Sequence, residues 1–173
     1  MFPLTVLLSS FAVFSLAGRW VAWLSPWPLA LRAALALMFL ATASAHWGSR
    51  RADLIEMVPD VFPDPGLIVT LTGVAEIVGA IGLLIPATAP YAAAGLVVLL
   101  LAMFPANVRA AVEGLSIGGS AATPLVPRTI LQLIFIAACL AAGRRTTASE
   151  VSPESRWHAT VVNAERLPGT VDR

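Results

Sequence analysis

Five polar side chains in otherwise apolar surroundings carry the chemistry this sequence could perform: His46, Glu76, Asn107, Arg128 and Gln132. Glu76 stands out. It is the single charged residue in the run from Gly66 to Pro86, about ten residues from its start. At the ~1.5 Å rise per residue of a helix, that is ~15 Å along the run. An ionised carboxylate at such a depth in hydrocarbon is expensive. The group is therefore protonated or paired with a cation, and it faces the interior of a helix bundle. Thr72, Ala75, Gly79 and Gly82 share its stripe at helical spacing, and all are small. Small residues let helices approach closely, so Gly79 and Gly82, with Gly73, are expected to be packing positions.

The elements that must hold these groups are membrane helices. Hydrophobic residues make up 58% of the 173 residues and charged residues 12%, and the mean hydropathy is +0.83. A soluble domain carries about 25% charged residues, so this chain could not cover the surface of a water-soluble globule. Five apolar blocks run from about Pro3 to Leu24, Leu29 to Trp47, Gly66 to Pro86, Tyr91 to Val108, and Leu125 to Gly143. Each approaches the ~20 residues that cross ~30 Å of hydrocarbon as a helix. None alternates with period two, which excludes a β-barrel. The breakers agree: Ser25-Pro26-Trp27-Pro28, Pro59 to Gly66, Pro86 with Pro90, and the Gly114 to Pro127 stretch separate the blocks.

The fold expected is all-α, a transmembrane bundle of four core helices plus one extra N-terminal span. Residues 1–28 form that span and its aromatic interface, 29–143 the four-helix domain, and 144–173 a polar, disordered tail. The alternative for the first block is a cleaved signal. Against it, the block has no basic n-region and no clear small-residue cleavage site. Trp20, Trp23 and Trp27 read as an interfacial belt. The near-membrane arginines tie. Arg50, Arg51, Arg109 and Arg128 lie on one side, and Arg19, Arg32, Arg144 and Arg145 on the other. The tail is placed in the cytoplasm.

Connectivity then brings the polar groups together. The end of block two, the start of three, the end of four and the start of five share one membrane side. His46, Asn107, Arg128 and Gln132 sit at those ends with Arg109. Arg128 and Gln132, at i and i+4, share a helix face. Pro105 frees backbone carbonyls beside Asn107. The expectation is a polar pocket with Glu76 at its floor, within which Arg128 could pair with Glu76. The blander reading is that these groups only hydrogen-bond helices together or anchor at the interface. His46 alone reads more readily as an interfacial hydrogen-bonder than as a ligand.

Other chemistries are excluded. Two distant histidines and one cysteine, Cys139, make neither a metal cluster, a dithiol pair nor a haem or iron–sulfur site. Cys139 reads as an inert buried thiol. A net charge of +1 is not a nucleic-acid footprint. Gly118-Gly119 lacks the context of a phosphate loop.

The run Gly73-Val74-Ala75-Glu76-Ile77-Val78-Gly79-Ala80-Ile81-Gly82-Leu83-Leu84-Ile85-Pro86 resembles the central signature of the DoxX-like membrane proteins. Met57-Val58-Pro59, Phe104-Pro105-Ala106-Asn107, and Arg128 with Gln132 match in order, and the resemblance covers about Leu31 to Ala142. It implies a small bacterial protein of the cell membrane, with the family's marked positions at His46, Glu76, Asn107, Arg128 and Gln132. Trp47 stands where that family often has Phe. The resemblance further implies a subunit of a membrane redox complex that touches quinone through the complex, with no cofactor of its own. Partners would be the lipid bilayer, a redox subunit or further copies of the chain. The residues themselves name no reaction. A small proton-coupled transporter and a non-catalytic assembly protein are the alternatives. The extra N-terminal span and the tail depart from the family pattern.

Overall fold

A computed structural model of the protein describes residues 2–18 and 27–144. It contains six α-helices: α1 (Phe2–Ala17), α2 (Trp27–Ala43), α3 (Arg51–Met57), α4 (Pro65–Leu84), α5 (Ala89–Val112) and α6 (Leu125–Ala142). A 3-10 turn, Ser44–His46, extends α2. With that turn, α2 is 20 residues long; α4, α5 and α6 have 20, 24 and 18. All four are apolar and long enough to cross a bilayer. The protein is an all-α membrane bundle. The helix of the first block, α1, has 16 residues, so it extends ~24 Å. Trp20, Trp23 and the proposed tail from Arg145 onward lie outside the described residues. Trp27 is exposed.

Helix α2 packs against α4 and α6, and α5 closes the ring by packing against the same two. Helix α1 lies on α2 and contributes Leu7 to the core. The start of α4 follows from local chemistry. Asp64 caps α4 by accepting a hydrogen bond from the Leu67 amide at 2.9 Å, with Pro65 in the first turn.

Helix α4 reveals what turns a membrane helix inward. Leu67, Leu71, Val74, Val78 and Ile81 form a bulky apolar stripe, and it is exposed. Val69, Gly73, Glu76, Gly79, Ala80 and Leu83 are buried. In lipid an apolar side chain gains nothing from leaving the bilayer, so close packing and polar contacts choose the inner face. The expected stripe needs one correction, because Ala75 is exposed. The reason is that α4 has two neighbours. Gly73 meets the His46 turn after α2, whereas Gly79 and Gly82 meet Leu96 and Ala92 of α5.

Two features outside the long helices were not expected from the sequence. One is α3. The other is a β-hairpin, β1 (Ser116–Ile117) and β2 (Ser120–Ala121), with Ser116 opposite Ala121. Its turn residues Gly118 and Gly119 have φ of 60° and 76°, the left-handed pair a tight hairpin turn requires. The Gly118 amide donates to Asp53 Oδ2 of α3 at 2.7 Å, tethering the hairpin. A Cβ on Gly119 would meet no atom within 4 Å, so Gly119→Ala isolates backbone strain. It should cost the hairpin about 1 kcal/mol. Faster hydrogen exchange confined to the hairpin amides checks this.

Candidate functional site

Glu76 is 5% exposed. Its Oε2 lies 2.9 Å from Oγ1 of Thr42 in the last turn of α2. The same hydroxyl lies 3.0 Å from the Phe39 carbonyl. A hydroxyl has one proton. Thr42 therefore donates either to Glu76, or to Phe39 while accepting a hydrogen bond from a neutral Glu76. Reorienting one hydroxyl thus lets Thr42 partner Glu76 as carboxylate or, once Glu76 has taken up a proton, as carboxylic acid, without displacing a helix.

Glu76 faces the end of α2, although it lies more than two turns inside α4. The first turns of α4 outreach α2 and pack instead against α3. Arg51 secures this stagger. Its guanidinium donates to the His46 carbonyl at 2.7 Å, and to the Gly66 carbonyl and Thr70 Oγ1, both at 3.0 Å. Arg109 ties α5 to the loop after α3, donating to the Val58 carbonyl and to Asp60 at 2.7 Å. The stagger brings loop residues to the same cavity as Glu76.

Glu76, Asn107, Arg128 and Gln132 line one cavity of about 470 Å³. Met38, Phe39, Leu100, Leu131 and Phe135 supply apolar walls. Ile117, Gly118 and Ser120 of the hairpin and Arg50 lie at its rim. His46 lines an adjoining cavity of about 460 Å³ that also reaches Glu76, Asn107 and Arg128. On the other side of Glu76, Leu35, Ala80, Leu83, Leu96 and Cys139 fill the bundle.

The partners differ from one sequence expectation. Arg128 is not paired with Glu76. Its guanidinium donates to Asn107 Oδ1 at 2.7 Å and to the Thr123 carbonyl at 3.3 Å. Asn107, on the neighbouring helix, takes the guanidinium, and Thr42 takes the carboxyl. Gln132 donates to the Leu100 carbonyl, beside the stretch that Pro105 disturbs. His46 is buried, with Nδ1 3.2 Å from the Ala43 carbonyl, so it hydrogen-bonds its own chain. Among the described residues no cluster of His, Cys, Asp or Glu could hold a metal.

Sequence reasoning missed Thr42, Arg50 and Arg51. A hydroxyl four residues before His46 was the available signal for Thr42, since i and i+4 share a face. The two arginines counted only toward orientation.

The segment from residue 35 to 143 matches a family model described as Domain of unknown function (DUF8561). The chain belongs to the DUF8561 family. The DUF8561 segment contains Thr42, Glu76, Asn107, Arg128, Gln132 and the hairpin, and it begins within α2. Helix α1 and Arg32 precede it. No curated protein and no solved structure matches the chain.

Proposed function

We propose that this protein is a subunit of a quinone-linked redox complex in a bacterial cell membrane, with its C-terminal segment in the cytoplasm. Glu76 handles a proton, while Arg128 and Asn107 position the polar head of a molecule that enters the cavity. One observation carries this reading: a buried carboxyl with a single hydroxyl partner stands in an apolar-walled cavity rimmed by hydrogen-bond donors. Such a group can exchange a proton with a bound molecule while sheltered from bulk water. The resemblance to the DoxX-like proteins supplies the redox setting. The redox centre itself belongs to a partner. The filled core beyond Glu76 supports a blind pocket over a transport route.

Glu76→Gln keeps the shape and removes the exchangeable proton. Quinone-linked respiration in the native host should fall on the order of 10²-fold, with the variant inserted at normal levels. An unchanged rate would overturn the role.

A further inference from the structure

The polar groups of the cavity include two guanidinium groups. Arg50 and Arg128 both line it. Among the described residues neither has a carboxylate within ion-pair distance, since the ion pairs there all involve Arg109. Of the nearby acids, Glu76 shares the cavity but is held by Thr42, Asp53 accepts from the Gly118 amide of the hairpin, and Asp60 and Glu113 hold Arg109. Asn107 must present its oxygen to Arg128, because a guanidinium accepts nothing. That leaves the amide NH₂ of Asn107 as a donor. Arg50 lies under the hairpin turn, where a Cβ on Gly118 would stand 3.2 Å from its Nε. Its Cζ is 5.9 Å from the Phe2 ring centroid. The cavity thus holds two guanidinium groups and an amide donor together with apolar walls formed by Phe39, Leu100, Leu131 and Phe135.

We infer that this rim binds a phosphate-class oxyanion carried on an apolar chain, the headgroup of an anionic lipid. Planar guanidinium groups match phosphate oxygens with paired donors. The apolar walls accept the chain, and a free anion has no use for them. The inference rests on the cavity of the proposed function but needs neither its electron transfer nor its partner. A Glu76→Gln strain that respires normally would sink the redox role and leave this site standing.

The test uses the full chain, purified in a neutral detergent, with native mass spectrometry and thermal unfolding as readouts. The probes are dioctanoyl phosphatidylglycerol, dioctanoyl phosphatidylcholine and inorganic phosphate. Phosphatidylglycerol should bind saturably and raise the unfolding midpoint, and phosphatidylcholine should bind about tenfold more weakly or worse. Arg50→Gln is the fold-safe variant, since Arg50 is exposed and its side chain makes no hydrogen bond among the described residues, while its backbone carbonyl, which accepts from the Leu54 amide, is unchanged by the substitution. It should weaken phosphatidylglycerol about tenfold. Arg128→Gln should do likewise, with partial recovery in Arg128→Lys. Inorganic phosphate that binds as tightly as the lipid, and is lost in both variants, would keep the oxyanion site and reject the lipid as its source. Equal binding of the two lipids, or phosphatidylglycerol binding unaffected in Arg50→Gln and in a folded Arg128→Gln, would overturn the proposal.

Discussion

Replacing Arg32 with Met should lower the unfolding free energy by about 3 kcal/mol. Arg32 is 3% exposed. Its Nε donates to the Ala142 carbonyl at 2.8 Å, and a terminal nitrogen donates to the Arg144 carbonyl at 2.8 Å. The Ala142 carbonyl is the last of α6, where the final turn has no helical donors left, and Arg144 follows it by two residues. The guanidinium therefore caps a helix more than a hundred residues away in sequence, and its charge complements the negative end of the helix. A hydrogen bond to a charged group contributes about 1.5–3 kcal/mol. Two such bonds are lost, and relief from holding a buried cation offsets part of that. Arg32→Lys should fall between, because an ammonium lacks the fork that reaches both carbonyls. Denaturant unfolding in detergent measures all three proteins. Equal midpoints for wild type and Arg32→Met would refute the capping role.

Gly73→Val should cost about 3 kcal/mol. A Cβ at Gly73 would stand 2.7 Å from both Cβ and Cγ of His46, and 2.8 Å from Cη2 of Trp47. His46 cannot yield cheaply. Its Cβ is rigidly attached to a turn whose carbonyl Arg51 holds at 2.7 Å. The helices would have to part at the level of the cavity. Gly95→Val is the internal control, because a Cβ there meets nothing within 4 Å. It should leave stability within about 0.5 kcal/mol of wild type. Similar losses at Gly73 and Gly95 would show that contact at the His46 turn is not what matters.

Part of this arrangement could be read directly from the residues. Blocks of the right length, broken by Pro and Gly, specified the long helices. The alternation of helix directions implied that His46, Asn107, Arg128 and Gln132 would lie at one end, and the cavities join them there to Glu76. What the sequence withheld has physical causes. Val74 and Val78 face outward while Val69 faces inward, and lipid makes all three equally acceptable on hydrophobicity alone. The Gly118-Gly119 pair is a hairpin signal, but strands of two residues are too short to show alternation. Arg32 looked like an interfacial charge because its acceptors are distant in sequence. The choice of Asn107 over Glu76 as partner of Arg128 depends on how each helix is turned about its own axis, which spacing does not encode.

The unequal reach of α4 and α2 gives the carboxyl two addresses. Reckoned along one rod it is deep, and along the other it stands a single turn from the edge. Wetting of the group is then governed by the shorter neighbour, just as the lowest point of a rim sets the level of a basin. Lengthening that neighbour would move the edge away from the acid without changing any residue of its own helix.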